Sequence, residues 1–237
     1  MHAIILAGGK GTRLQPYTVS FPKPLVPVGD HPILEIIIRQ LVHAGFDRVT
    51  ISTGHLAELI VAYFGDGSKF GVAIDYVRED KPLSTAGALK LVPDIDDCAL
   101  VMNGDVLTDL DYREFLDAHH ASGARASVAV KRRCELVDFG VVERDEGGYL
   151  TGWREKPSYE FEVSMGVYAV ARPALDLIAE GEALGMPELF LRILDRGERV
   201  FCHPTDAYWL DIGRVDDYAL AQAEFEANRA ALFPGDD

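Results

Sequence analysis

Apolar residues in the first half of the chain fall into short dense runs separated by stretches of helical spacing. Residues 3–6, 48–53, 72–77 and 98–102 are rich in Val, Ile, Leu and Met and bounded by turn residues, the pattern of strands buried on both faces. Between them, Ile33, Leu34, Ile36, Ile37, Leu41 and Val42 recur at the three-to-four-residue interval of a helix over residues 32–44, which Gly45 ends. Residues 57–64 give a second helix, and a short one running to Leu91 is expected to take Ser84 or Thr85 as its cap. Asp111 is expected to cap a further helix over residues 112–121. Strand alternating with helix predicts a parallel sheet with crossover helices, which gathers ligands at the carboxyl ends of its strands.

After Gly123 the period shortens. Residues 126–131, 139–144, 149–155 and 163–171 are strand-like, with Glu146-Gly147-Gly148 as a hairpin turn, and they are expected to extend the sheet. Helices follow over residues 173–180 and 187–195, each with Pro in its first turn, then a strand over 199–203 and a last helix over 215–229. That helix either closes the domain or forms the contact of a homodimer. Four prolines from Pro16 to Pro27 predict an extended path that turns at Gly29-Asp30. The tail Gly235-Asp236-Asp237 is expected to fray.

Composition narrows the function classes. Within 237 residues there are 38 Asp and Glu against 23 Lys and Arg, a formal charge of −15 with no basic run, which excludes general nucleic-acid binding. An anionic substrate then has to be met locally, by a few cations and by metal held on carboxylates. No stretch approaches the ~18 apolar residues of a membrane span, and the start Met1-His2-Ala3-Ile4 enters a strand with no export signal. Three widely spaced cysteines, Cys98, Cys134 and Cys202, suggest neither a disulfide framework nor a zinc site, so a cytoplasmic protein is expected. The seven histidines have no partners at ligand spacing.

The stretch Leu6-Ala7-Gly8-Gly9-Lys10-Gly11-Thr12-Arg13-Leu14 follows the first strand, and its three glycines allow a tight turn with free backbone N–H groups. Arg13 and, in Pro22-Lys23-Pro24-Leu25, Lys23 set two cations beside those donors, as a polyphosphate requires. Neither the Walker nor the dinucleotide spacing fits: apolar residues stand where the first needs its leading glycine, and Leu14 takes the third glycine position of the second. At the end of the fourth strand comes Asn103-Gly104-Asp105, where Asp105 is either a magnesium ligand or a turn residue.

Leu6-Ala7-Gly8-Gly9-x-Gly11-Thr12-Arg13-Leu14 with Pro22-Lys23-Pro24-Leu25 resembles the opening of the sugar-1-phosphate nucleotidyltransferases, or nucleotide-sugar pyrophosphorylases. The likeness continues in order through Pro82-Leu83-Ser84-Thr85-Ala86-Gly87, Gly104-Asp105, Phe139-Gly140-Val141-Val142, Arg154-Glu155-Lys156-Pro157, Ser164-Met165-Gly166-Val167-Tyr168 and Tyr208-Trp209-Leu210-Asp211-Ile212-Gly213. It implies a Rossmann-like α/β fold of GT-A-like type, a mainly parallel sheet flanked by helices with an inserted β-rich sugar-binding part. The single domain then divides into a nucleotide-binding part at about 1–122, a sugar-phosphate-binding part at about 123–213 and a C-terminal helix at 214–230.

The resemblance implies that Leu6, Ala7, Gly8, Gly9, Gly11, Thr12, Arg13, Lys23, Glu79, Ser84, Thr85 and Gly104 bind the nucleotide. Gly140, Glu155, Lys156, Ser164 and Gly166 bind the sugar phosphate, and Asp105 with Asp211 holds Mg²⁺. Arg13, Lys23, Asp105, Lys156 and Asp211 are the implied catalytic set. The family usually carries glycine at Ser84, and many members carry Asn-Ala-Gly in place of Ser164-Met165-Gly166. Read on their own, Glu79 with Asp80 also fits a solvated acidic loop, and Glu155-Lys156 an exposed charge pair. The Pro-Leu-x-Thr-Ala-Gly form and Glu79, an acceptor for the guanine edge, lean towards GTP with mannose-1-phosphate or a manno-heptose-1-phosphate. Glucose-1-phosphate with dTTP or UTP is the rival. From other classes, a non-catalytic regulatory subunit and a glycosyltransferase using Asp109-Leu110-Asp111 are the alternatives. The chain leaves no length for the left-handed β-helix of some relatives, so none is expected.

Overall fold

In the computed structural model, residues 1–9 and 11–233 are described; Lys10 and residues 234–237, with the tail Gly235-Asp236-Asp237, lie outside them. Strands β1 (His2–Ala7), β2 (Pro27–Val28) and β3 (His31–Pro32) precede helix α1 (Ile33–His43), and β4 (Arg48–Thr53) is followed by α2 (Ala57–Phe64). Then come β5 (Ala73–Arg78), α3 (Ser84–Gly87), β6 (Cys98–Asn103), β7 (Val106–Thr108) and α4 (Tyr112–Ser122). The second half holds β8 (Ala126–Leu136), β9 (Val141–Arg144), β10 (Leu150–Arg154), β11 (Ser158–Ala171), α5 (Met186–Asp195), β12 (Val200–Pro204), β13 (Trp209–Asp211) and α6 (Val215–Leu232).

The main sheet has seven strands in the order β12-β8-β11-β6-β1-β4-β5. β1 runs parallel to both of its neighbours, β4 and β6, and β4 runs parallel to β5. Only β11 runs antiparallel to both its neighbours, β6 and β8, so the β-rich second half is continuous with the first through one ladder. β9 and β10 form a separate antiparallel pair across the expected hairpin turn.

Alternation along the strands builds two apolar layers. Ala3, Ile5 and Ala7 of β1 face a core shared with Ile36, Ile37, Leu41, Phe115 and Phe225. Ile4 faces the other, with Val101, Val128, Leu189 and Ile193. This two-sided burial is why the first-half strands carry near-continuous hydrophobic runs. Helix α6 closes the first layer: Gln222 accepts from Gly29 N at 3.0 Å and donates to Pro27 O at 2.7 Å. Gly29, at φ +57°, leaves the space that the Phe225 ring fills. α6 therefore closes the domain.

Three expectations need correction. The proline-rich stretch is not extended; it makes 3-10 turns at Thr12–Leu14, Tyr17–Val19 and Lys23–Leu25, because Pro24 serves as a first-turn residue and Leu14 is fully buried as an anchor. The helix expected over 173–180 is instead a 3-10 turn, Arg172–Leu177. Neither Ser84 nor Thr85 caps α3: Leu83 holds the cap position and no side chain caps it. Asp111 does cap α4, accepting from Arg113 N and Glu114 N at 2.9 Å each.

Two buried histidines make stability pH-dependent. His2 bonds Thr50 Oγ1 at 2.8 Å and His119 bonds Ser127 Oγ at 2.7 Å. Burial is the leading cause that lowers both pKa values below 6.5, with Arg48 adding to it at His2 and His120 at His119. The unfolded chain therefore binds more protons, so their contribution is full above about pH 6.5 and lost as pH falls. Urea melts should show a midpoint that drops between pH 7.5 and 5, with a shallower drop for His119→Gln; a midpoint that rises on acidification would contradict this.

Candidate active site

β1 brings Leu6 level with Ser52 of β4 and Asn103 of β6, so three parallel strands end side by side. Just past them, a Cβ on Gly54 would lie 2.6 Å from Gly8 O, and Gly104 N donates to Leu6 O at 3.0 Å. At Gly54 the backbones thus meet closely enough that only glycine fits. A Cβ on Gly8 would lie 2.2 Å from Glu79 Oε1. That carboxylate accepts from Ser52 Oγ at 3.0 Å and from Leu83 N at 2.9 Å, fastening the loop after β5 to the end of β4. Glu79 is therefore not a freely solvated loop residue, and with one donor on each oxygen it keeps lone pairs for the cleft.

That cleft, about 290 Å³, is lined by Leu6, Gly8, Gly9, Glu79, Pro82, Ser84, Thr85, Asn103 and Asp105. Ala7, next in the chain, is buried. Gly11, at φ +62°, turns the chain onto Thr18, whose hydroxyl donates to Gly11 O at 2.7 Å, and onto the stem of Lys23. Thr12 and Arg13 stand exposed on the following 3-10 turn. Lys23 reaches Asp105 and pairs with its Oδ2, both side chains being mostly buried.

β13 pairs antiparallel with β7, placing Asp211 opposite Val106, and Ile212 N donates to Asp105 O at 3.0 Å. The two carboxylates are neighbours for this reason. Desolvation first and the Asp105 charge second push the Asp211 carboxyl above its usual range, while Lys23 and Arg13 oppose the shift. A Cβ on Gly213 would lie 3.6 Å from the Arg13 guanidinium. Asp105 Oδ1 is shut off from solvent and has no hydrogen-bond partner among the described residues. Two adjacent carboxylates, one with a spare buried oxygen, fit Mg²⁺, which is commonly held by one or two carboxylates with substrate phosphates and water completing the shell. Among the described residues no third His, Cys, Asp or Glu joins them in a metal-sized group.

On the other side, a register shift in β11 between Ser164 and Tyr168 carries the implied sugar segment. Ser164 Oγ accepts from Gly166 N at 3.3 Å and donates to Tyr168 OH at 3.4 Å. Gly166, at φ +75°, lies against Asn103. Burial chiefly, with the Asp105 and Asp211 charges, raises the Tyr168 pKa, which puts that hydroxyl in the field of the acidic pair. Glu155 accepts from Trp153 Nε1 at 3.0 Å, and both lie against Gly140. Lys156, at φ +41°, is exposed and pairs with Asp138 at 2.8 Å, so the structure does not bring it together with Lys23, Asp105 and Asp211. Asp109 and Asp111 are not a metal pair: Asp109 accepts from Tyr208 N at 2.7 Å and Asp111 caps α4. This removes the sequence feature behind the glycosyltransferase alternative.

Sequence reasoning assigned no role to Ser52, Asn103 or Tyr168. Ser52 and Asn103 sit level with Leu6 at strand ends, a register visible only once the sheet is paired. Thr85, expected at the nucleotide, lines the cleft, and its hydroxyl accepts from Met186 N at 2.8 Å, tying α3 to α5.

The fold is that of a nucleotidyl transferase. The chain matches the family model described as nucleotidyl transferase over residues 2–228 and belongs to that family. It is 37% identical, over 92% of its length, to a UTP–glucose-1-phosphate uridylyltransferase of Synechocystis, and spans 61% of that relative. It is 33% identical to a D-glycero-α-D-manno-heptose 1-phosphate guanylyltransferase of Aneurinibacillus thermoaerophilus, covering 95% of this chain and 99% of that one. Among solved structures, a protein from Bacillus anthracis assigned as a glucose-1-phosphate thymidylyltransferase and crystallised with sucrose superimposes with TM-score 0.75 at 27% identity, over 94% of both chains.

Ser84, where the family usually has glycine, sits at φ +62°, a left-handed backbone that strains any residue with a Cβ. Ser84→Gly should stabilise the protein by about 1 kcal/mol, or roughly 2–4 °C in Tm. Ser84→Val should lower Tm; the opposite order in a thermal melt would contradict the assignment.

Proposed function

We propose that this protein transfers a nucleotidyl group from a nucleoside triphosphate to a hexose-1-phosphate, giving a nucleotide-sugar and pyrophosphate. The observation that carries the reading is the Asp105–Asp211 pair, with a spare buried oxygen and Lys23 beside it, at the mouth of the glycine-lined cleft. In the reaction a sugar-1-phosphate oxygen forms a bond to the α-phosphorus as the bond to pyrophosphate breaks in line. Both substrates are polyanions, so the barrier depends mainly on bringing them together and neutralising moving charge. No general base is required, because a phosphate monoester is already ionised near neutral pH.

The backbone about Gly8, Gly9 and Gly11 cradles the triphosphate, Arg13 stabilises the leaving pyrophosphate, and Lys23 bridges the phosphates. Asp105 and Asp211 would hold Mg²⁺, which when bound would supply charge neutralisation to the phosphates. Lys156 takes the sugar phosphate after leaving Asp138; both partners of that ion pair are exposed, so releasing it costs at most about 1 kcal/mol. For the substrates, GTP with mannose-1-phosphate or manno-heptose-1-phosphate is the preferred pair. It is supported by the acceptor-only carboxylate of Glu79 in the cleft and by the guanylyltransferase relative matched along its whole length. Glucose-1-phosphate with UTP is the second reading, favoured by the higher identity to the uridylyltransferase. No described helix is long and apolar enough to cross a membrane.

Pyrophosphate release should be measured for five nucleoside triphosphates against a panel of sugar-1-phosphates with Mg²⁺. One strongly preferred pair is expected; silence throughout would favour a non-catalytic regulatory subunit. Asp105→Asn should lower the rate roughly 10²–10³-fold with a near-unchanged fold, and near-normal Mg²⁺-dependent turnover would remove Asp105 from the site. Lys156→Ala should raise the sugar-phosphate KM about tenfold. A rise confined to the nucleotide KM would put Lys156 on the wrong side of the reaction.

A further inference from the structure

Ser52 has no part in the steps above, yet it is fully buried and its hydroxyl ends on a side chain of the cleft wall. We infer that Ser52 is a positioning residue for nucleobase selection: it holds Oε1 of Glu79 so that the free lone pairs of that carboxylate meet N–H donors on the edge of a base. The inference rests on reading this cleft as a nucleotide site with Glu79 as its base contact.

The ladders place Ser52 level with Leu6 of β1 on one side and with Val77 of β5 on the other. A hydroxyl closed in between strands costs stability unless it is bonded. β4 carries three buried hydroxyls, and two of them serve the fold: Thr50 Oγ1 bonds His2 Nε2 at 2.8 Å, and Thr53 Oγ1 donates to Val77 O at 3.0 Å. Of the three, Ser52 alone donates to a residue that lines the cleft, Glu79 Oε1 at 3.0 Å.

Other contacts converge on the same carboxylate. Leu83 N donates to Oε2 at 2.9 Å, and a Cβ on Gly8 would lie 2.2 Å from Oε1, so the glycine loop leaves free the space that the held oxygen fills. Glu79 N donates to Thr53 O at 2.9 Å, which already ties this segment to β4 without Ser52. What the serine adds is direction. A carboxylate bonded at one oxygen still turns about its terminal torsion, which is broad, whereas one bonded at both oxygens is fixed.

The chemistry of the ligand follows. A carboxylate offers about two acceptor sites on each oxygen, and one on each is taken, so one remains on either side. Two acceptors side by side match two adjacent donors, which the guanine edge presents. The uracil and thymine edge instead sets one N–H between two carbonyl oxygens, which a carboxylate repels.

Steady-state kinetics with GTP, UTP and inosine triphosphate, which lacks the 2-amino donor of guanine, test this in wild type, Ser52→Ala, Glu79→Ala and the double variant. Ser52→Ala should lower the kcat/KM ratio of GTP to inosine triphosphate about tenfold. The loss should fall on the GTP KM, with kcat and the sugar-phosphate KM little changed. In the Glu79→Ala background the same substitution should add nothing, because Ser52 acts through that carboxylate. Calorimetric binding of the two purine nucleotides repeats the ratio independently of turnover. An unchanged ratio in Ser52→Ala, additive losses in the double variant, or an equal fall in kcat for every nucleotide would overturn the inference. A wild type that prefers UTP would overturn it too and leave the transferase reading standing, whereas a wild type that binds no nucleotide would overturn that reading itself.

Discussion

Two carboxylates held side by side in a partly desolvated cleft repel each other, and the surroundings of Asp105 and Asp211 are arranged about that repulsion. The backbone enforces it: β13 pairs with β7, and Ile212 N binds Asp105 O, so neither residue can withdraw. Lys23 neutralises Asp105 from one side and Arg13 opposes the shift at Asp211 from the other. Even so the Asp211 carboxyl is raised, by desolvation first and by the Asp105 charge second. In a chain of formal charge −15, Lys23 and Arg13 are the cations set beside this acidic pair.

Other local costs gather at the same place. Ser84, in the cleft, adopts a left-handed backbone, and Asn103 and Asp105 each bury an oxygen without a partner among the described residues. Strain and unmet acceptors of this kind persist where the rest of the fold over-determines them, and they cluster at working sites. Here the over-determination comes from β1, which is locked between two parallel neighbours and buried on both faces.

The parallel half of the fold was legible because burial on both faces leaves a direct mark: a run such as Ala3-Ile4-Ile5-Leu6, four apolar residues without a polar break, has no side left for solvent. So was the cap at Asp111, a local hydrogen-bond preference. The proline-rich turns were not, since Pro suits a helix's first turn as well as an extended path. The lengths of β8 and β11 were also missed, because their outer halves are solvent-exposed and carry charged residues that break the apolar pattern. Of the site, the glycine loop and Asp105 follow from residues near in sequence. Pairing Asp211 with Asp105 needed the family resemblance, since 106 positions separate them and only the β7–β13 ladder joins them. Ser52 and Asn103 depend on strand register, which no local pattern encodes.

The metal-binding role of the acidic pair is tested most directly by electron paramagnetic resonance of Mn²⁺ titrated into the protein with a nucleoside triphosphate present. The protein-bound, immobilised signal should saturate in the wild type and weaken at least about tenfold in both Asp105→Asn and Asp211→Asn. An unchanged Mn²⁺ affinity in the two variants would contradict the account.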